Sequence, residues 1–384
     1  MNKYKNLLRL LITAVLFAGL FLACEGPEGP AGPKGDKGDP GDPGPGSVVN
    51  WEGFKEGIVC AECHNPDYDT TYFVWGRKYQ WILSKHAVGG DYERNTASCA
   101  ACHTTEGYVQ SQTGRTVTNN VHASPPGCFA CHSPHSRADF SLRTEEPVTI
   151  LAAVAGVPDL VFDYGKGNLC ASCHKTRTLN PEPDPTKTAS TDTITINSNR
   201  WYPHYGVQGQ MLAGEGGFEF QGETYNDSYH TSSSVIMEEG CVICHMADPN
   251  AGTGIGGGHT MNIRYEGTHG EDQELLTGCT TTGCHSSSGF SLDYKGGQTE
   301  THELLDSLQN LLIARDWIYD SGEGYLVNAG SQSPRGSALK IAPAYLSGAL
   351  FNYFFIEHDL SLGVHNTAYS HKLLETSIEA LNAN

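Results

Sequence analysis

The sequence predicts a mainly α fold with extensive coil, and three observations carry that expectation. A cysteine–histidine motif that fits about one helical turn recurs along most of the chain. The text between its copies is rich in Gly, Ser, Thr and Asn, as in GGDYERNTAS and PEPDPTKTASTDT, which marks irregular connections. Only the C-terminal region keeps apolar residues at sustained helical spacing.

The motif, Cys-x-x-Cys-His, stands as CAECH at Cys60, CAACH at Cys99, CFACH at Cys128, CASCH at Cys170 and CVICH at Cys241, and a stretched form, CTTTGCH, begins at Cys279. Two cysteines on one turn can bond the vinyl groups of a single porphyrin while the next residue reaches its iron. Structural zinc also uses Cys-x-x-Cys knuckles, but it needs no histidine directly after the second cysteine, and here every copy has one. Six covalently bound haem c groups are therefore expected. Their thioethers would come from Cys60 and Cys63, Cys99 and Cys102, Cys128 and Cys131, Cys170 and Cys173, Cys241 and Cys244, and Cys279 and Cys284. The proximal iron ligands would be His64, His103, His132, His174, His245 and His285. In the last copy two extra residues must loop out; this spacing resembles a variant found in the small tetrahaem cytochromes of sulfate reducers.

Thirteen cysteines less the twelve in motifs leaves Cys24 alone, so no pair remains for a disulfide framework. Cys24 follows a basic start, MNKYKNLLRL, and an apolar run too short for a comfortable membrane span, which reads as an export signal over 1–23. FLAC places Cys24 where a bacterial lipoprotein is cut and acylated, although Phe21 departs from the usual leucine; an ordinary signal peptide is the alternative. Either reading takes the chain out of the cytoplasm, in agreement with haem attachment to Cys-x-x-Cys-His, which in bacteria happens outside the inner membrane. The expected location is the cell envelope, lipid-anchored at the outer membrane and facing periplasm or cell surface.

Residues 24–46 then carry glycine at Gly26, Gly29, Gly32, Gly35, Gly38, Gly41 and Gly44, a collagen-type run. Glycine is needed at every third place because only it fits the axis of three packed chains. So short a run serves either as a semi-rigid spacer, about 60 Å long at about 3.1 Å per residue, or as a homotrimer contact.

Residues 47–384 have the length of one or two domains and are expected to hold all the haems. The motifs are unevenly spaced, which argues against a solenoid. Short helices are expected after each motif. At the C terminus one helix is expected over His302–Ile318, with Leu304, Leu305, Leu308, Leu311 and Leu312 on its apolar face. A second begins near Pro343 and buries Leu346, Leu350, Tyr353 and Phe354. A third follows Asn366 as cap and carries Tyr369, Leu373, Leu374, Ile378 and Leu381.

Of the 17 histidines, six lie in motifs and eleven are free. Six of these would make every haem bis-histidine. The candidates in tight glycine- or proline-flanked contexts are His86, His122, His135, His204, His230, His259 and His365, one more than six irons require. His269, His302, His358 and His371 read as solvated or locally hydrogen-bonded. Met211, Met237 and Met261 could reach an iron and raise its potential, but the histidine supply is ample.

The stretches CFACHSPH, CVICHMADPN with GGGHTM, and GVHNTAYSHKLLETSIEAL resemble the multihaem cytochrome c group that includes the ammonia-forming nitrite reductases and the hydroxylamine oxidoreductase-like proteins. The resemblance covers scattered patches from Trp51 to Leu381. It implies a helix-and-coil fold organised around closely packed haems, long C-terminal helices, and His365 as a distal ligand. The catalytic haem of the nitrite reductases resembles Cys-x-x-Cys-Lys, and no motif here ends in lysine.

Two functions follow. In an electron-transfer cytochrome every iron is saturated by two histidines and conducts without binding substrate. In a multihaem oxidoreductase acting on nitrogen compounds one haem keeps an open face, and His204 or His230, with Trp201, Tyr202, Tyr205 or Tyr225, would line its pocket. The missing lysine favours the carrier, with no catalytic residue assigned. A third reading makes the collagen-like segment primary, in an envelope-assembly protein that carries haems. The net charge of −19 excludes nucleic acid as a ligand and is compatible with basic redox partner proteins in the envelope. GTGIGGGH lacks the strand and helix of a dinucleotide loop and instead gives His259 a flexible approach to an iron.

Overall fold

The apolar period of the C-terminal region folds into three helices that share one core. The first spans Gly297–Ala314, starting earlier than His302. Asp293 sets that start: its carboxylate accepts from the backbone N–H groups of Gln298 and Thr299, at 2.9 and 3.0 Å. It also stops earlier, because Ile318 belongs to a strand. The second, Ser347–Glu357, follows a 3₁₀ turn, Ala344–Leu346, with Pro343 extended just ahead of it. Every residue from Ser347 to Ile356 is buried, so this helix is the centre of the core rather than an amphipathic cover. The third, Thr367–Asn382, is capped by Asn366, whose side chain accepts from the Tyr369 N–H at 3.3 Å.

A computed structural model of the chain describes residues 67, 73–89, 91–132, 140–248, 255–267, 270–281, 284–286 and 288–384. The expectations placed on 1–23, on Cys24 and 24–46, on Cys60, Cys63 and His64, and on His135 and His269 lie outside those residues. The described residues fall in one unit, Glu52–Asn384. Among them, no helix is long and apolar enough to cross a membrane.

Leu308, Leu312, Phe351, Phe355, Leu373 and Leu374 form the heart of the core, joined by Trp201, Phe218 and Phe220 from the middle of the chain. Burying each such side chain contributes about 1.5–3 kcal/mol. Asn352 bridges the two parts: it accepts from the Phe218 N–H at 2.8 Å and donates to the Phe218 carbonyl at 2.9 Å and to Ser377 Oγ at 3.0 Å. A fully buried amide is tolerated there because its polar atoms are satisfied.

Eight three-residue strands are described: β1 Val148–Ile150, β2 Leu160–Phe162, β3 Ile194–Ile196, β4 Arg264–Glu266, β5 Asp272–Glu274, β6 Ile318–Asp320, β7 Tyr325–Val327 and β8 Leu339–Ile341. They form antiparallel pairs β1·β2, β3·β8, β4·β5 and β6·β7. Three residues are too few to show an alternating pattern, so these ribbons had no signature in the sequence. The short helices coincide with the motifs rather than following them: Ala100–His103, Cys128–Cys131, Gly167–Ala171, Val242–His245 and Thr277–Thr281. After the second motif alone, among the described residues, a longer helix follows directly, Thr105–Gln112, with Thr104 as its cap.

Candidate haem-binding sites

Each described motif histidine faces one free histidine. The ring centres are 6.0 Å apart for His174 and His86, 6.1 Å for His103 and His204, 6.2 Å for His132 and His259, 6.2 Å for His245 and His365, and 6.1 Å for His285 and His230. An edge-to-face aromatic contact also reaches this distance, but it would hold the rings near perpendicular. Here the interplanar angles run from 32° to 81° while the distance stays constant. That combination fits two imidazoles on opposite sides of one metal, which a metal–nitrogen bond of about 2.0 Å spaces by about 6 Å while leaving each ring free to rotate. Among the described residues no three His, Cys, Asp or Glu side chains converge as a metal site. The histidines come in twos, the number that a haem iron would take from the protein.

Nδ1 partners fix the tautomer of five of these ten rings. Nδ1–H donates to the Phe140 carbonyl from His132 at 2.8 Å, to Gln208 Oε1 from His174 at 3.1 Å and to the Met261 carbonyl from His245 at 3.1 Å. On the opposite faces, His230 donates to the Val364 carbonyl at 2.9 Å and His365 to Asp359 Oδ1 at 2.7 Å. Occupying Nδ1 in this way leaves the Nε2 lone pair for a metal. His86 Nδ1 lies 3.1 Å from Met261 Sδ, so Met261 touches one ring of each of two neighbouring pairs. His259 Nδ1 is buried without a hydrogen-bond partner. Burial lowers His86, His204, His259 and His245 to about 4, reinforced by Arg177 at His204, by Arg77 at His259, and by neighbouring histidines at His86 and His245. All four are thus kept in the neutral form that binds iron. His365 differs: burial again opposes its charge, but the Asp359 carboxylate outweighs burial and raises its pKa.

Backbone geometry brings the free histidines in. His204 sits in the left-handed region, φ 69°, directly after Pro203. Gly257 and Gly258, also left-handed, let the chain pass so close to the helix Val74–Ile82 that a Cβ on Gly258 would lie 2.6 Å from Gln80 Oε1. The same Gln80 oxygen accepts from the His259 N–H at 3.1 Å. Before His365 the chain turns through Leu360 and Leu362, φ 60° and 50°, and Gly363, φ 83°, conformations that residues other than glycine adopt at a cost.

Neighbouring motifs touch. Cys102 lies beside Cys173, Cys170 beside Cys241, and Cys244 beside Cys279. Glycines allow this: a Cβ on Gly240 would lie 2.4 Å from Gly167 Cα, and one on Gly278 would lie 2.2 Å from the Ile243 carbonyl oxygen. The motifs at Cys99, Cys170, Cys241 and Cys279 therefore follow one another in space. Cys131 of the remaining described motif is close enough to Cys170 for a thiolate there to push its pKa up, beyond the larger effect of burial.

No family model matches the chain. Two curated proteins of Geobacter sulfurreducens match most of it: C-type polyheme cytochrome OmcB, 22% identical over 86% of this chain and 44% of its own length, and C-type polyheme cytochrome OmcC, 23% identical over 86% and 43%. This chain resembles multihaem c-type cytochromes. It spans less than half the length of those relatives. Among solved structures, the outer cell wall cytochrome OcwA aligns with 79% of the chain and 50% of its own at 20% identity and a TM-score of 0.45. The undecaheme cytochrome from the S-layer of Carboxydothermus ferrireducens aligns with 78% and 40% at 18% identity and a TM-score of 0.40.

Five of the seven distal candidates thus stand opposite a motif histidine. His122 is exposed, and among the described residues no motif histidine faces it. His302 is exposed beside Asp306, and His371 is held by Thr301. His358, expected to be solvated or locally bonded, is 4% exposed and packs on Tyr202 and Tyr205. Gln208 and Asp359, which orient the rings, had no marker in the sequence beyond the VHN stretch around His365; Met261 was singled out only as a residue that could reach an iron, whereas its carbonyl and Sδ meet His245 and His86.

Proposed function

We propose that the chain is a six-haem electron carrier of the cell envelope, with each iron held between two histidines. The observation that carries this is the recurrence of one spacing, 6.0 to 6.2 Å, at all five described motif histidines. His103 and His204, His132 and His259, His174 and His86, His245 and His365, and His285 and His230 are the proposed axial pairs. His64 then takes its partner from His122 or His135. Haem c supplies a reversible one-electron iron couple at each site. The protein's part is to saturate each iron, exclude substrate, and bring the thioether edges of neighbouring sites together at Cys102 and Cys173, Cys170 and Cys241, and Cys244 and Cys279. A conduit through the motifs at Cys99, Cys170, Cys241 and Cys279 is the consequence.

The oxidoreductase alternative placed His204 or His230 in an open pocket; both stand 6.1 Å from a motif histidine. The test is low-temperature spin-state spectroscopy on the oxidised holoprotein with a haem count. Six low-spin haems are expected. A high-spin signal equal to one haem in the wild-type protein would overturn the carrier reading. In His204→Ala one haem of the six should turn high-spin, and an unchanged spectrum would remove His204 from the ligand set.

The lipid anchor at Cys24, with an outer-membrane position and a spacing or trimer-forming role for 24–46, belongs to the same reading, as do redox partner proteins. Radiolabelled fatty acid should be incorporated into the wild-type chain and not into Cys24→Ser; label in both would dismiss the anchor.

A further inference from the structure

Resting on that ligand assignment, we propose that Asp359 makes the site between His245 and His365 the lowest in potential among the described pairs, so that it divides the conduit into two segments. The other Nδ1 partners of the paired rings are backbone carbonyls, an amide oxygen and a thioether, all neutral. Asp359 alone among them is a carboxylate, and it lies 2.7 Å from His365 Nδ1 with its side chain 1% exposed. A hydrogen bond to a carboxylate is about twice as strong as one between neutral groups. It pulls the Nδ1 proton away from the ring and makes Nε2 a stronger donor, and buried negative charge beside the ligand further favours the ferric state. Both effects lower the potential.

The carboxylate is built in. Its second oxygen accepts from Ser361 Oγ–H, and the same Oγ accepts from the His365 N–H at 3.3 Å. The left-handed residues Leu360, Leu362 and Gly363 close this loop, and a Cβ on Gly363 would meet Thr301 Oγ1 at 2.5 Å. Asp359, Ser361 and His365 are thereby locked as a unit between two long helices. In space the site has the Cys170 motif on one side and the Cys279 motif on the other. Each transfer moves one electron, oxidising one iron as it reduces the next, with no bond made or broken. A low site in the middle therefore acts as a step that electrons must climb from either side.

Two variants read the charge in opposite directions in a redox titration of the full holoprotein. Asp359→Asn keeps an acceptor and removes the charge; the lowest wave of the titration should rise by tenfold or more in its reduction equilibrium, which is 59 mV for one electron. Ser361→Ala removes the donor that shares the charge; the same wave should fall by several-fold. His365→Met identifies the wave, since methionine ligation raises it furthest. Superimposable titrations of wild type and Asp359→Asn, or shifts of the same sign in both variants, would overturn the role of Asp359. If His365→Met moves no wave, the ligand assignment fails instead.

Discussion

Asn366→Ala is expected to disturb two haem sites at once and to cost about 2–4 kcal/mol of stability. Asn366 is fully buried, and both ends of its amide are used. Its oxygen accepts from the N–H groups of Ser228 and Tyr369, at 2.8 and 3.3 Å. Its nitrogen donates to Asp227 Oδ1 and Thr231 Oγ1, at 2.9 and 3.0 Å. The contact with Tyr369 holds the start of the last helix, next to His365; those with Ser228, Asp227 and Thr231 hold the 227–231 segment that carries His230. Val364 adds the carbonyl to which His230 donates. Three consecutive residues thus position the free histidines of two sites. Loss of low-spin character equal to two haems, with a lowered thermal midpoint, is the expected result in Asn366→Ala. Asn366→Asp keeps both acceptor contacts, loses the donations and sets a carboxylate against Asp227, so it should affect one haem only, that of His230. A lowered midpoint with all haems unchanged would reduce Asn366 to a helix cap.

The motifs were legible because thioether chemistry is local: two cysteines and a histidine must share one turn, whatever the rest of the fold does. The five described histidines that face motif histidines had been picked out as a group by their number and their glycine- or proline-flanked settings. Their pairing was not legible. His86 precedes the motif at Cys99 yet faces His174, because the turn at His204 gives His103 its partner and Met261 draws His86 towards His245. Such choices are made by long-range approach and leave no local mark. The groups at Nδ1 are hidden for a related reason: a backbone carbonyl can come from any residue, as from Phe140, Met261 and Val364. The three C-terminal helices followed from apolar period, and Asn366 from its capping chemistry, but the first helix moved to Gly297–Ala314 because Asp293 caps it and Ile318 pairs in β6·β7. His358 was misjudged in degree. Its ring has a local partner, Glu357 at 3.1 Å, but it also reaches the distant His204 carbonyl at 3.3 Å and is buried, since Tyr202, Tyr205 and Phe354 close over it.

Gly240→Ala should part the motifs at Cys170 and Cys241 and slow electron exchange between their haems. Gly240 has φ 57° and ψ −137°, outside the range of most L side chains. A Cβ there would lie 2.4 Å from Gly167 Cα and 2.6 Å from the Tyr164 carbonyl oxygen. Both are backbone atoms, so no side-chain rotation relieves the clash and the two segments must separate by about 1 Å or more. Backbone strain of about 1–3 kcal/mol adds to an overpacking cost of about 1–3 kcal/mol. The Lys166 to Glu239 ion pair, 2.8 Å long and adjacent on both strands of the contact, is partly exposed and too weak to hold the segments together against that. The contact that would open is the one that joins Cys170 to Cys241, and electron transfer falls steeply with separation. After rapid photoreduction of the holoprotein, Gly240→Ala should equilibrate more slowly among its haems while still carrying six. Gly156 supplies the control: its φ is 77°, but nothing lies within 4 Å of where a Cβ would be. Gly156→Ala therefore bears a backbone cost of the same kind without the clash, and its equilibration rate should match wild type. Equal slowing in both variants would mean that general loosening, and not the close approach of Gly167 and Gly240, sets the rate.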